Sequence, residues 1–157
     1  MDKIIESENI LLITSSFEDC KYFEIWEKQP YVREYFTMND DRDYEEIVTE
    51  FVINKQDSTK FQFTIVLKEN KEPIGRIYLS RYDKYSDSID ITRIYIGEKE
   101  YLGLGYGYEA MKALLKFLFD ELKLERVTLD FYEGNMKAKR LYESLNFKSE
   151  GIMRHAA

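Results

Sequence analysis

The sequence predicts an α+β, or mixed α/β, fold in one domain spanning residues 1–157. Three observations predict it. One early strand is followed by two helical stretches. Three β-rich runs then come in close succession with short polar connections. Beyond them the chain alternates strand, helix, strand, helix, and ends in a short tail able to form a last strand. A chain of 157 residues suits a single domain with a sizeable core.

Asn9-Ile10-Leu11-Leu12-Ile13 reads as the first strand. Ser16-Phe17-Glu18-Asp19 starts a helix, with Ser16 as N-cap and Asp19 at the capping-box position. That helix runs through Tyr22, Phe23 and Trp26 and ends near Pro30, because the residue before proline avoids the helical region. The polar, acidic run Asn39–Asp43 leads into a second helix carrying Ile47, Val48, Phe51 and Val52, with Glu45, Glu46 and Glu50 decorating it. These carboxylates read as a solvated loop and helix start that offset the helix dipole. The functional alternative is a wall that attracts a cationic substrate.

Phe61–Leu67 and Ile74–Leu79 read as two strands of a hairpin about the turn Lys68–Pro73, and Tyr82–Ser88 is a polar connection. Ile89–Ile96 is a strand rich in β-branched and aromatic residues. A glycine-rich turn follows, and Met111, Leu114, Leu115, Leu118 and Leu122 recur at helical spacing over about Tyr108–Leu122. Arg126–Tyr132 is another strand, with Val127, Leu129 and Phe131 on one face. Asn135 caps a helix to about Leu145, and the residues through Arg154 form one last strand.

Composition removes several classes. Charged residues are 34% and hydrophobic ones 44%, which describes a folded, soluble chain and no membrane span. The N-terminus lacks a signal-peptide apolar core, and the lone Cys20 forms no internal disulfide, so the expected location is the cytoplasm. The net charge of −7 argues against nucleic acid as a partner and accommodates a cationic small molecule or basic peptide. The single histidine, His155, lies almost at the C-terminus, so no metal site is expected.

The chain is organised around Leu102-Gly103-Leu104-Gly105-Tyr106-Gly107, between the Ile89–Ile96 strand and the following helix. Such a turn presents backbone N–H groups at a helix N-terminus, where they have no intrahelical partner and the dipole favours an anion. It reads as the seat of a pyrophosphate, against the plainer alternative of a helix start that needs glycine for packing. It is not a Rossmann fingerprint, whose sixth position would be glycine where Tyr108 stands. Nor is it a P-loop, because Gly107 is followed by Tyr108 and Glu109. A second constellation lies on the last helix, where Asn135, Ala138 and Tyr142 share one face and Lys137, Lys139 and Arg140 surround it with positive charge.

Together the two constellations resemble the GNAT superfamily of N-acetyltransferases, and the opening helix pair with the Glu150-Gly151-Ile152-Met153-Arg154 ending looks most like the branch of ribosomal-protein N-terminal and spermidine N-acetyltransferases. The specific pieces are Ile94-Tyr95-Ile96-Gly97 with Tyr101–Ala110, and Asn135–Phe147. The resemblance implies a central, mostly antiparallel sheet flanked by helices, with acetyl-CoA bound in the splay of one parallel strand pair. It implies that Ile94, Tyr95 and Ile96 pair with the pantetheine amides. Leu102, Gly103, Leu104, Gly105, Tyr106 and Gly107 would hold the pyrophosphate. Asn135, Ala138 and Lys139 would contact the cofactor, and Tyr142 would lie near the thioester sulfur.

The chemistry needs few side chains. An alkylammonium with a pKa of about 10.4 must first lose a proton. The free amine attacks the thioester, the oxyanion needs a donor such as a strand N–H, and the leaving thiolate needs a hydrogen bond. Tyr142 supplies the last as a donor. Asp90, on the strand leading to the glycine turn, is the candidate base through water; the alternative is a solvent-facing structural carboxylate.

The chain departs from the family pattern in three places. Leu102 replaces the usual Arg or Gln, and Asn146 replaces a glycine. The strand that ends related chains is expected to be missing, leaving a sheet edge open or completed by a partner subunit. The expected activity is acetyl transfer to a primary amine, which could be a polyamine, a small amine or a protein N-terminus. The alternative is a non-catalytic acyl-CoA-binding or assembly module.

Overall fold

A computed structural model describes residues 3–33, 42–131, 140, 143 and 152–154. One seven-stranded sheet runs through them in sequential order. Its strands are β1 (Ile4–Glu6), β2 (Ile10–Thr14), β3 (Phe61–Leu67), β4 (Pro73–Asp83), β5 (Ser88–Ile96), β6 (Arg126–Phe131) and β7 (Ile152–Arg154). The helices are α1 (Cys20–Trp26), α2 (Pro30–Arg33), α3 (Tyr44–Lys55) and α4 (Tyr106–Lys116). The first four strand pairs are antiparallel, and β5·β6 is parallel as expected.

A second parallel pair, β6·β7, was not expected. Two strands joined through an intervening crossover run in the same direction, and β7 returns directly beside β6. Of the helix expected over Asn135–Leu145, Arg140 and Glu143 are helical and exposed, and the rest lies outside the described residues.

Several ends differ from expectation for local reasons. β1 is only three residues long, below the length at which alternation reads as a strand. α1 stops at Trp26, and Pro30 opens the separate α2, since proline suits a first helical position and lacks the N–H needed further in. Ser16 and Asp19 do form a capping box, with Ser16 N donating to Asp19 Oδ2 at 3.0 Å, but the turn they open is a 3₁₀ turn over Phe17–Asp19. Asp43 caps α3 by accepting from Glu46 N at 2.9 Å. The helix after the glycine turn starts at Tyr106. It widens into a π turn over Phe117–Glu121, where Leu122 N reaches Phe117 O at 3.1 Å.

The sheet separates two different interiors. One face packs on α4 through Ile74, Ile77, Leu79, Ile91, Ile94 and Ile96, against Met111, Leu114 and Leu118. The other packs on α1 and α3 through Phe23, Trp26, Ile47, Phe51 and Tyr95. No helix among the described residues is long and apolar enough to cross a membrane.

Candidate active site: a forked strand pair above a glycine turn

The parallel register of β5 and β6 runs from Ser88↔Arg126 to Ile91↔Leu129 and stops there. β5 continues to Ile96 and β6 to Phe131, so beyond that point the two strands diverge. On its other side β5 stays paired to β4, with Ile94 opposite Ile77, Tyr95 opposite Arg76 and Ile96 opposite Gly75. The β5 backbone from Thr92 to Ile96 therefore has one edge bound and one edge facing the fork, where an extended amide-bearing chain can pair with it.

The divergence starts at a bulge. Leu79 pairs with Ile91 and Tyr78 with Arg93, which leaves Thr92 as an extra residue on β5. A bulge bends its strand and increases local twist, and here it re-aims the second half of β5 away from β6.

β5 delivers the chain to the glycine turn. Gly103 and Gly105 have φ of 74° and 88°, a region costly to any other residue, and among the described residues a Cβ on either would meet nothing within 4 Å. At Gly107 an added Cβ would meet only Ile96 Cγ1 at 3.8 Å, an ordinary contact. Packing among the described residues therefore does not demand these three glycines, and the space above them is open to those residues. Among the described residues, the amides from Gly103 to Tyr108 donate to no backbone carbonyl, and the first amide to do so is Glu109 N, to Gly105 O at 3.0 Å. The result is a run of free donors at the positive end of α4.

Three contacts fix the turn in place. Glu109 accepts from Asn9 N at 2.7 Å and Asn9 Nδ2 at 3.0 Å, tying the first turn of α4 to the β1–β2 hairpin. Burial pushes the Glu109 carboxyl up, and the Asn9, Ser7 and Ile10 hydrogen bonds bring it below its ordinary value. Tyr101 donates to Glu72 Oε2 at 2.7 Å, which pushes its phenol up to about 12, and its ring meets Tyr106 edge-on. Leu102 is partly buried against the core, so its side chain serves packing, whereas Leu104 is 62% exposed.

Gly97 closes β5. A Cβ there would lie 2.2 Å from Trp26 Cγ, so glycine is required for the indole to lie on the strand end. Trp26 Nε1 donates to Glu98 Oε1 at 2.8 Å, and the Tyr31 hydroxyl donates to Gly97 O.

Beneath the fork, on the α1/α3 face, lies a buried ionic network that the sequence analysis did not find. Glu27 accepts from Arg76 Nη1 at 2.6 Å, from the Tyr95 hydroxyl at 2.6 Å and from Arg42 Nη2. Glu50, expected to decorate the surface of α3, instead accepts from Arg42 Nη1 at 2.5 Å and Arg93 Nη1 at 3.1 Å. Arg76 is 0% exposed; it also donates to Gln62 Oε1 at 3.0 Å and stacks 4.2 Å above the Phe23 ring. Burial pushes the Glu27 carboxyl up, but Arg76, Arg93, the Tyr95 hydroxyl and Arg42 together hold it down at about 2. Burial and the Glu27 charge push the Tyr95 phenol well above its ordinary range. The signal for this network was Arg76 and Arg93 in the middle of otherwise apolar strands, since a charge in a buried strand requires a partner.

The expected site residues divide into two groups. Ile94, Tyr95 and Ile96 lie on the diverging half of β5, and Leu102–Gly107 form the turn at its end. Asp90 lies at the base of the fork and is 2% exposed, so it is not the solvent-facing carboxylate weighed from the sequence. Asn135, Ala138, Lys139 and Tyr142 lie outside the described residues.

A forked parallel pair, a bulge at its base and a glycine turn at the head of a helix form a candidate site of the kind an acyl-CoA-type transferase would need. Comparison with known proteins places the chain within that class. The family described as Acetyltransferase (GNAT) domain matches residues 10–148. The chain belongs to the GNAT acetyltransferases.

An uncharacterized N-acetyltransferase, p20, of Bacillus licheniformis is 25% identical over 154 residues, which is 94% of this chain and 84% of that protein. A spermine/spermidine N(1)-acetyltransferase of Bacillus subtilis is 33% identical over 69 residues, 44% of this chain and 45% of that one. Among solved structures, spermidine N-acetyltransferase from Vibrio cholerae in complex with CoA and spermine superposes with a TM-score of 0.82 at 21% identity, covering 90% of this chain and 82% of its own. A GNAT-family acetyltransferase from Bacillus anthracis gives 0.79 at 22% identity, covering 95% and 86%. At these identities the two superpositions are a likeness of fold.

Proposed function

We propose that the chain transfers the acetyl group of acetyl-CoA to a primary amine. The observation that carries this reading is the fork: among the described residues, β5 keeps an unpaired edge from Thr92 to Ile96 and ends at a turn whose amides have no backbone partner. The residues present suit the group. An extended pantetheine would pair with the β5 edge at Ile94–Ile96. A pyrophosphate would rest on the amides of Gly103–Tyr108, in the space that side chains at Gly103 and Gly105 would fill.

Bound acetyl-CoA supplies an acetyl group activated as a thioester. The protein supplies position and polarity. Backbone N–H groups at the bulge end of the fork edge would donate to a carbonyl oxygen that gains charge. Tyr142 is proposed as the hydrogen-bond donor to the departing sulfur, with Asn135, Ala138 and Lys139 beside the cofactor; these assignments rest on the sequence pattern.

A polyamine is the acceptor favoured among the amines considered. The reading draws on a net charge of −7, the exposed Glu45 and Glu46 on α3, and the spermine and spermidine named for the relatives. A calorimetric titration with acetyl-CoA tests the site, followed in the same sample by thiol release with spermine, spermidine, small monoamines and a peptide N-terminus. Binding with thiol release on spermine or spermidine is the expected result. Absence of acetyl-CoA binding overturns the reading, and binding without release on any amine favours a binding module.

A further inference from the structure

We propose that Asp90 is a positioning residue that clamps the base of the fork, together with Thr92 and Thr128, and that it does not take the proton from the amine. The proposal rests on the reading of the fork as the acetyl-CoA site. Asp90 on β5 stands opposite Thr128 on β6, one step before the last parallel pair, Ile91↔Leu129. Thr128 Oγ1 donates to Asp90 Oδ1 at 2.5 Å, so the carboxylate bridges the two strands where they are about to part. Thr92 Oγ1 donates to Asp90 Oδ2 at 2.9 Å, and Thr92 is the bulge residue itself.

The hydroxyl directions then follow. Thr92 has one proton and gives it to Asp90, so in its 2.5 Å contact with Ser80 Oγ it is the acceptor and Ser80 donates. Ser80 lies on β4, opposite Asp90. One carboxylate therefore ties β4, β5 and β6 together at the bulge. Arg81 Nη2 stands 3.5 Å from Asp90 Oδ2 and adds charge from the solvent side.

This arrangement suits a fixed strut better than a base. The carboxylate is 2% exposed, and each of its oxygens already accepts from a threonine hydroxyl. The two charge-assisted bonds fix the spacing of the strands and the direction in which β5 leaves the bulge. A fork of fixed width presents the Thr92–Ile96 edge to an incoming chain without reorganisation, which saves ordering entropy on binding.

The test pairs Thr128→Val with Asp90→Asn in the full chain, with Thr128→Ser as the conservative rescue. Thr128→Val keeps side-chain volume and removes only the hydroxyl, so it separates clamp from base. A clamp predicts that Thr128→Val and Asp90→Asn both weaken acetyl-CoA binding by about tenfold, that Thr128→Ser restores it, and that neither moves the acid limb of the kcat/KM profile. Amide hydrogen exchange at residues 92–96 and 129–131 should speed up in both variants relative to the native chain. That readout needs no acetyl-CoA, so it judges the clamp even if the native chain fails to bind it, a result that would count against the site reading alone. The clamp is overturned if Thr128→Val binds acetyl-CoA and exchanges like the native chain. It is equally overturned if Asp90→Asn keeps full affinity but abolishes turnover and the acid limb. Should Asp90→Asn fail to fold, Thr92→Val gives the same comparison.

Discussion

Replacing Glu27 with Gln keeps the volume of the side chain, removes its charge and turns one of its two acceptor atoms into a donor. Among the described residues, Arg42 and Arg93 would then keep only their Glu50 contacts, and Arg76 would lose its carboxylate partner. The Glu27 carboxyl is held at about 2 against an ordinary 4.5, a difference worth about 3 kcal/mol of folding stability at neutral pH. The loss of one partner from a buried ion pair falls in the same range, roughly 3–5 kcal/mol. The pH dependence has a definite sign. A carboxylate lowered by folding stabilises fully above its unfolded value and loses that contribution as pH falls through its folded one, so the window is pH 4.5 down to about 2. The deficit of the Gln variant should therefore shrink from about 3 kcal/mol at pH 7 to about 1.5 kcal/mol at pH 3. Urea unfolding followed by circular dichroism at both pH values measures it, provided that the m-value is unchanged. A deficit under about 1 kcal/mol at pH 7, or one that grows toward pH 3, would refute the account of Glu27 as the charged centre of the network.

Three further outcomes are expected. Gly105→Ala should lose about 1–2 kcal/mol of stability from its positive φ and lose acetyl-CoA affinity by more than tenfold, because a methyl would occupy the space over the free amides; unchanged affinity in a titration would move the phosphate site elsewhere. Gly97→Ala should cost about 1–3 kcal/mol by overpacking against Trp26, seen as a lowered thermal midpoint together with altered indole fluorescence. Cys20 is fully buried and its thiol is pushed up to about 11 by burial, so iodoacetamide at pH 8 should label it only after unfolding; rapid labelling of the native chain would contradict its placement.

What was legible in the sequence was local. The glycine turn lies within six residues, the cap at Ser16 acts over three, and the strands declare themselves by runs of β-branched and aromatic residues. The turn could be read because Gly103 and Gly105 stand where only glycine is comfortable and nothing packs against them. The ionic network was not legible as a network. Its partners are far apart in sequence, with Glu27 bonded to Arg76 on β4, Tyr95 on β5 and Arg42 just before α3. Glu50 shares a helix face with residues that really are exposed, and only the approach of β5 turns it toward Arg93. Asp90 was singled out as chemically active for its position on the strand, while the hydroxyls that hold it come from β5 and β6 together.

One non-local feature nevertheless left a mark in the sequence. Ile89 and Ile91 face the α4 side, and so do Ile94 and Ile96. The step between Ile91 and Ile94 is three residues where a regular strand allows two or four, and a strand can keep both pairs in one core only by inserting a residue. The bulge at Thr92 is that insertion. It follows that the fork is written into the apolar pattern of β5: the core demands the bulge, the bulge turns the strand, and the turned strand leaves its edge open at the point where Asp90 ties it to β6. The polar face then has to be satisfied from the other side. Arg93 and Tyr95, displaced onto the α1/α3 face by the same shift, reach Glu50 and Glu27 there. The buried charges and the open edge are thus two consequences of one inserted residue.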